Sequence, residues 1–180
     1  MTIKVLSKRL LLIFLVCSTG IFSLASQTDE IEVWAITWSP NDNILAIGQS
    51  DGLVKIIDAQ TNTLVNTLDI AGPDAGIIRL AWSPDGTRIA TTFANGINIF
   101  DANFVLDFDI VHHSTYILDM EFHEQLALSG EQNGTTIVSN LVTGELISTI
   151  PDPSNGIIAL NWHPSGDFVV TTNWDGERLC

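Results

Sequence analysis

The sequence predicts an all-β fold made of repeated four-stranded antiparallel units. Three observations indicate this fold: a repeat of about 40 residues, alternation of apolar and polar residues inside each repeat, and glycine-containing turns between the apolar runs. The chain has 180 residues, of which 46% are hydrophobic and 16% charged, so it is long and apolar enough to bury a core.

Tryptophan marks the repeats. Trp-Ser-Pro begins at Trp38 and at Trp82, Trp-His-Pro begins at Trp162, and Phe122 stands at the tryptophan position of a divergent third copy. These four positions are separated by 44, 40 and 40 residues. A period near 40 indicates propeller blades or a solenoid.

The first strand of each repeat ends at its tryptophan position. Alternation places three apolar residues on one strand face, which we expect to be core: Trp34, Ile36 and Trp38, then Ile78, Leu80 and Trp82, then Leu118, Met120 and Phe122, then Ile158, Leu160 and Trp162. We expect the opposite face to border a small or solvated space, and it holds Ala35 and Thr37, Arg79 and Ala81, Asp119 and Glu121, and Ala159 and Asn161.

Three further strands complete each repeat. The second strand (44–47, 168–171) is almost continuously apolar, which predicts a position in the middle of the sheet. The third covers 53–57 and 97–100, and the fourth covers 63–68, 104–108 and 145–150. Four antiparallel strands per repeat predict the blades of a β-propeller, at about 31–70, 76–110, 115–150 and 156–180. The alignment of Gly176 with Gly52 predicts that Cys180 lies in the third strand of the fourth blade.

Turn residues separate these strands. Pro84-Asp85-Gly86 and Pro164-Ser165-Gly166 make the first turn of a blade. The second turn carries Asx-Gly, which tolerates positive φ, at Asp51-Gly52, Asn95-Gly96, Asn133-Gly134 and Asp175-Gly176. An Asx residue that recurs with a turn is expected to serve the turn, so we assign these residues a structural role.

The order of these motifs resembles the WD-repeat family of β-propellers over residues 31–180. Trp82-Ser83-Pro84-Asp85-Gly86 is followed by an apolar strand, an Asx-Gly turn and a strand that ends at Asp101. The resemblance implies that the turn aspartate closes a structural hydrogen-bond network in each blade. His113 stands where the histidine that opens a family repeat would be. Residues 57–65 also look like surface-layer and lactonase-type propellers.

The N-terminus has the pattern of a secretory signal. Lys4, Lys8 and Arg9 precede an apolar run at 10–16. We predict a signal peptide over 1–25, cleavage between Ala25 and Ser26, and a short linker at 26–30, which places the mature chain in the cell envelope or outside the cell. An uncleaved anchor and lipidation at Cys17 are the alternatives, and an anchor would be the only membrane attachment. After cleavage Cys180 is the only thiol, which excludes an internal disulfide.

The charge balance excludes one class of partner. Residues 26–180 hold four bases against all 21 acids, a net charge of −17. Such a domain repels phosphate backbones, so we expect no nucleic acid partner. We expect the charge to lie on outer strands and loops, and therefore a protein partner that is basic or brings divalent cations. The alternative is that the charge only keeps an exported protein soluble.

Histidines and unrepeated acids are the remaining candidates for chemistry. His112 and His113 are adjacent and point to opposite faces of a strand, and His123 and His163 are equivalent positions of different blades, so no metal site is predicted. Asp107 and Asp109, like Asp119 and Glu121, share a strand face, and we interpret both pairs as solvated outer strands. No catalytic motif occurs, and no cofactor is expected.

These inferences favour a secreted or envelope-associated, non-catalytic propeller that binds a protein or another ligand through its loops. The alternative is a lactonase or quinoprotein-type propeller enzyme, or a surface-layer-like propeller. Because the ring is incomplete, we also expect self-association.

Overall fold

The computed structural model describes residues 31–70, 79–151 and 156–174, and the backbone of 178–179. Several predicted features lie outside these residues: the signal peptide 1–25 with its cleavage site at Ala25 and Ser26, the linker 26–30, Cys17, Ile78, the turn at Asp175 and Gly176, and Cys180.

Every element of the described residues is a β-strand, which confirms the predicted fold class. Blade 1 is β1 (Val33–Trp38), β2 (Ile44–Gln49), β3 (Leu53–Asp58) and β4 (Thr63–Asp69). Blade 2 is β5 (Leu80–Trp82), β6 (Arg88–Phe93), β7 (Gly96–Asp101) and β8 (Leu106–Ile110). Blade 3 is β9 (Ile117–His123), β10 (Leu126–Glu131), β11 (Thr136–Asn140) and β12 (Leu146–Ile150). Blade 4 is β13 (Ile157–Trp162), β14 (Val169–Asn173) and β15 (Arg178–Leu179).

Each blade is an antiparallel meander in chain order, so the second strand lies inside the sheet as predicted. The first strands of successive blades contact one another: β1 contacts β5, β5 contacts β9, and β9 contacts β13. The first strands are therefore the inner strands of the blade array. The fourth strand of blade 2 begins later than predicted because Phe104 has a left-handed backbone (φ 63°) in the preceding turn.

Hydrophobic packing lies between blades. We call the blade face with Trp38, Trp82, Phe122 or Trp162 the leading face, and the opposite one the trailing face. Ala46, Val54 and Ile56 on the trailing face of blade 1 pack with Leu80, Ile89 and Phe100 of blade 2. Equivalent clusters join blade 2 to blade 3 and blade 3 to blade 4. The next blade therefore covers the trailing face of blades 1 to 3, and the first-strand residues on that face are half-buried. Thr37, Ala81 and Glu121 of that face border a small cleft, in line with the predicted small or solvated space.

Blade 1 departs from the prediction because the face that was predicted to be core is exposed. Ile36 on its leading face is 66% exposed, whereas the equivalent Leu80, Met120 and Leu160 are 8%, 7% and 6% exposed. Trp34 and Trp38 are exposed as well. The residue pattern is the same in all blades, but no blade among the described residues covers this face.

The predicted Asx turns have two geometries. Asp51 Oδ1 accepts the Leu53 N–H at 3.2 Å and Asn133 Oδ1 accepts the Thr135 N–H at 2.9 Å, and the following glycines have positive φ. Blade 2 differs, because its turn is one residue shorter: Phe93 pairs directly with Gly96. There Ala94 takes the positive φ of 31°, and Gly96 begins β7.

His113 lies in a buried polar network beside blade 3. Its Nε2 is 2.7 Å from Ser129 Oγ, and Ser129 Oγ donates to the Ile137 carbonyl at 3.3 Å. Because the hydroxyl proton is used there, the imidazole Nε2–H is the donor to Ser129. The Nδ1 atom is buried and has no hydrogen-bond partner, which suits a neutral ring. Burial lowers the pKa of His113 to about 4, although the nearby Glu131 charge opposes this shift.

This network predicts a loss of stability in acid. His113 would protonate near 6.5 in the unfolded chain but near 4 in the folded one, so the unfolded state takes up a proton first as the pH falls. The contribution of neutral His113 to the free energy of unfolding is fully present above pH 6.5, and about 3 kcal/mol of it is lost as the pH falls from 6.5 to 4. Denaturant unfolding at several pH values measures this.

The variant His113→Gln should show a shallower pH dependence across that window. His112→Gln is the matched control, since His112 is exposed and bonds only the Gly144 carbonyl. Equal slopes for His113→Gln and the unsubstituted chain would contradict the assignment.

Candidate functional site

The inner strands β1, β5, β9 and β13 each lead into the first turn of their blade. Three of these turns contain a proline (Pro40, Pro84 and Pro164), and we call this end of the blades the proline-turn end. The turn of blade 2 is held by Asp85, whose Oδ1 accepts from Ser83 Oγ at 2.7 Å and from the Thr87 N–H at 3.0 Å. The Ser83 hydrogen bond is the main cause that lowers the pKa of Asp85. Asn41 Nδ2 donates to the Asp85 carbonyl at 2.6 Å, which joins the turns of blades 1 and 2.

A cleft of about 220 Å³ opens at the proline-turn end across three blades. Its lining is mainly apolar and aromatic, with one carboxylate: Thr37, Trp38, Pro40, Leu80, Ala81, Trp82, Ser83, Pro84, Met120, Glu121 and Phe122. The indole Nε1 of Trp82 is buried without a hydrogen-bond partner. The lining contains no histidine or cysteine, so it does not pair a nucleophile with such a base.

Three of the four predicted repeat aromatics meet near this cleft. Trp38, Trp82 and Phe122 line it, whereas Trp162 belongs to blade 4 and packs against His123 at 5.6 Å between ring centroids. The repeat therefore places one aromatic residue per blade at the same end of the array. Period-two alternation predicted that these aromatic residues lie on the same face of the first strand in each blade, but it did not predict that three of them line one cleft.

The carboxylates Asp119 and Glu121 lie on β9, an inner strand, so their predicted placement on an outer strand is wrong. The adjacent β13 has no further strand on its inner side, and its N–H groups there need acceptors. Asp119 Oδ2 accepts the Leu160 N–H at 2.9 Å, and Glu121 Oε2 accepts the Trp162 N–H at 2.6 Å. These two carboxylates therefore accept the hydrogen bonds that the carbonyl groups of a neighbouring strand would accept inside a sheet.

Each carboxylate also has a second partner. Asp119 Oδ1 forms an ion pair with Arg79 Nε at 2.8 Å, and Glu121 Oε1 accepts from Asn161 Nδ2 at 3.0 Å. Burial raises the pKa of Glu121, while the Trp162 N–H opposes the shift. Asp119 therefore connects blades 2, 3 and 4, and Glu121 brings a half-buried negative charge to the cleft.

The other predicted acidic pair lies on the outer strand β8, as expected. Asp107 pairs with Arg88 at 3.3 Å, and Asp109 accepts from Asn98 at 2.6 Å. The expectation that charge lies only on outer strands and loops is wrong, because Glu131 on β10 is 1% exposed. Its carboxylate accepts the Ser114 N–H at 2.7 Å and the Ser114 hydroxyl at 3.1 Å.

The histidines are used separately. His112 bonds the Gly144 carbonyl, His113 bonds Ser129, His123 packs on Trp162, and His163 bonds Ser165. Within the described ranges, no three His, Cys, Asp or Glu side chains come together in a way that could hold a metal ion. The same residues include no helix suited to crossing a membrane.

A second cleft, of about 390 Å³, lies at the opposite end of blades 2 and 3. It is lined by Ala94, Asn95, Ser114, Thr115, Tyr116 and Gln132. These residues come from one blade-to-blade link and two hairpin turns and carry no charge. The first cleft is the stronger candidate because it combines aromatic rings, proline turns and a carboxylate.

Two family models match parts of the chain. The WD40 domain of anaphase-promoting complex subunit 4 matches residues 5–75, and the WD domain, G-beta repeat, matches residues 144–177. The first match begins inside the predicted signal peptide. The second runs from the last strand of blade 3 into blade 4.

The chain is also similar to parts of two curated proteins. The chain is 35% identical to the WD repeat-containing protein VIP3 of Arabidopsis thaliana over 85 residues, which are 40% of this chain and 26% of that protein. It is 18% identical to eukaryotic translation initiation factor 3 subunit I of Botryotinia fuckeliana over 161 residues, which are 79% of this chain and 47% of that protein. The chain thus spans less than half the length of these two relatives.

Solved structures share the fold. A chain in the crystal structure of the mitotic checkpoint complex has a TM-score of 0.72 at 18% identity, with 81% of this chain and 45% of that chain covered. The computationally designed Ika4 protein has a TM-score of 0.73 at 20% identity, with coverage of 82% and 89%. The chain is therefore similar to WD-repeat proteins over parts of its length, and these two solved structures share its fold.

Proposed function

We propose that this chain is part of an exported, non-catalytic scaffold that binds a protein partner at the cleft of the proline-turn end. The observation that carries the proposal is the lining of that cleft, which combines Trp38, Trp82 and Phe122 from three blades with the acidic residue Glu121. Rigid strands hold these side chains, so the surface is formed before a partner arrives. The WD-repeat relatives support a role in protein interaction.

The partner that fits this cleft presents an apolar segment with a nearby positive charge. Aromatic rings and prolines offer apolar area, and the half-buried Glu121 offers a counter-charge. Residues 26–180 carry a net charge of −17, which attracts basic proteins over a longer range. The acidic balance disfavours nucleic acid.

The enzyme alternative has less support. The family matches are to WD-repeat proteins, and they do not favour a lactonase or quinoprotein-type propeller. The carboxylates near the cleft are already bound to backbone N–H groups, Arg79 and Asn161. Their geometry serves the contact between blades.

The binding prediction can be tested with a peptide of alternating lysine and leucine and its glutamate–leucine counterpart. Tryptophan fluorescence reports on the site, because Trp38 and Trp82 line the cleft. We expect the basic peptide to bind, the acidic peptide not to bind, and the affinity to fall with salt once the screening length drops below ~10 Å, above 0.1 M.

Glu121→Gln should weaken binding of the basic peptide severalfold, or by about 0.5–1 kcal/mol, as expected for a partly exposed charge pair. The matched control is Glu145→Gln, which removes an exposed carboxylate outside the cleft. Equal losses for the two variants would show that only the overall charge matters, and that the cleft is not the site.

The export prediction concerns residues 1–25. The full chain with a C-terminal tag, produced in a secreting host, should appear outside the cytoplasm with Ser26 as its first residue, which N-terminal sequencing determines. Ala25→Arg should block cleavage, because the peptidase accepts small residues there. Intact Met1 in the membrane fraction would favour the anchor, and intact Met1 in the cytosol would contradict export.

A further inference from the structure

The second cleft, at the opposite end of blades 2 and 3 from the proline turns, has a lining of unusual uniformity. Its volume of about 390 Å³ lies in the range of small-molecule sites, ~300–1,000 Å³. Every lining residue except Ala94 carries a hydroxyl or an amide, and none of them is charged at neutral pH: Asn95, Ser114, Thr115, Tyr116 and Gln132.

Two exposed aromatic residues lie next to Gln132. Tyr116 is 56% exposed, and its carbonyl accepts the Gln132 N–H at 2.9 Å. On the other side, the Gln132 carbonyl accepts the Gly156 N–H at 3.1 Å. Trp174 is 67% exposed and lies so close to Gly156 that a Cβ there would be 2.6 Å from the indole Nε1. The backbone of Gln132 therefore connects the surroundings of both rings.

The repeat does not require an aromatic residue at either position. Trp174 is equivalent to Ser50 and Gln132, since each of the three directly follows the second strand of its blade. Tyr116 is equivalent to Gly156, since both directly precede the first strand. Because more than half of each ring is exposed, packing in the core does not account for these two aromatic side chains.

The walls of the cleft are fixed by hydrogen bonds. The Ile117 N–H donates to the Ala94 carbonyl at 3.3 Å, which ties the link between blades 2 and 3 to the hairpin of blade 2. The Ser114 N–H donates to the buried Glu131 carboxylate at 2.7 Å, which ties the same link to blade 3. The cleft is therefore formed before a ligand binds.

Several polar groups of the cleft remain available. Among the described residues, the Gln132 side-chain amide and the Tyr116 hydroxyl have no hydrogen-bond partner. The Thr115 Oγ1 is buried without a partner, and rotation about the Cα–Cβ bond would turn it toward the cleft. An amide and a hydroxyl both donate and accept hydrogen bonds, so they suit a ligand whose own groups do the same.

The lining selects for a neutral, hydroxyl-rich ligand. It holds no lysine or arginine for an anion and no carboxylate for a cation, and the net charge of −17 over residues 26–180 repels anions. A purely apolar ligand would bury the amides without partners. The cleft is made of turns and a link between blades, so it presents no strand edge with which a peptide could pair.

We propose that this cleft binds a neutral saccharide. The C–H face of one sugar ring packs on the exposed ring of Tyr116, and its hydroxyls bond to the amides of Asn95 and Gln132. Trp174 offers an aromatic surface for a further sugar unit. This site is separate from the cleft of the proline-turn end, because the two clefts share no lining residue.

An array of neutral and sialylated oligosaccharides tests the proposal with the full 180-residue chain. We expect binding to neutral members and none to sialylated ones. Calorimetric titration with the neutral oligosaccharide that binds best then gives the affinity of each variant. Tyr116→Ala should weaken binding about tenfold, because it removes the ring and the hydroxyl, whereas Tyr116→Phe keeps the ring and should lose less. Gln132→Ala should weaken binding about threefold through the lost hydrogen bonds.

Two control variants should leave this affinity unchanged. Phe168→Ala removes a ring that is 67% exposed but lies outside the cleft. Glu121→Gln changes the cleft of the proline-turn end only. Circular dichroism of every variant should keep the β-sheet spectrum of the parent chain.

Three results would overturn the saccharide site. The first is that no neutral oligosaccharide of the array binds the chain, and the second is that sialylated members bind as well as neutral ones. The third is equal affinity of the parent chain and Tyr116→Ala for the titrated oligosaccharide. A neutral peptide that binds with the same dependence on Tyr116 and Gln132, while saccharides do not bind, would assign the cleft to a peptide instead.

Discussion

The structure depends on one packing constraint: the leading face of each blade must rest on the trailing face of the blade before it. A single four-stranded sheet has two faces, and neither is covered from within the blade. The side chains Leu80, Met120 and Leu160 are buried only because blades 1, 2 and 3 stand in front of them. Burial here is a property of a pair of blades, and the stability of one blade includes its junctions with its neighbours.

Hydrogen bonds at the inner strands also depend on the contact between neighbouring blades. The inner strands have free N–H groups along one edge, and in blade 4 these are satisfied by Asp119 and Glu121 of blade 3. Glu131 and His113 occupy the other end of blade 3, where they bond to Ser114 and Ser129. Acids that look dispensable in a strongly acidic chain are therefore part of the junctions. The net charge of the chain does not reveal this structural role of the acidic residues.

The same geometry forms the cleft at the proline-turn end. Repetition brings one aromatic residue from each blade, and a proline turn from every blade except the third, to a common end, and the irregular Glu121 adds the charge that the repeat itself does not specify. Repeated residues build the rigid surface, and unrepeated residues give it chemical character.

The sequence by itself determined the blades. Period-two alternation, the spacing of Trp38, Trp82, Phe122 and Trp162, and the Asx turns at Asp51 and Asn133 are local signals, so the strands and their order were predictable. The positive φ at Ala94 was not predictable from the sequence, because the length of that hairpin depends on how β6 and β7 pair.

Only the tertiary structure decided which faces are buried and what the acids do. Trp34, Ile36 and Trp38 carry the same pattern as the core residues of other blades and are nevertheless exposed, since burial requires a neighbour that the pattern does not encode. Asp119 and Glu121 alternate along a strand just as Asp107 and Asp109 do, yet one pair is on an inner strand and the other on an outer strand. Alternation reports the side of a strand, whereas the place of that strand in the blade array depends on contacts between residues 40 positions apart.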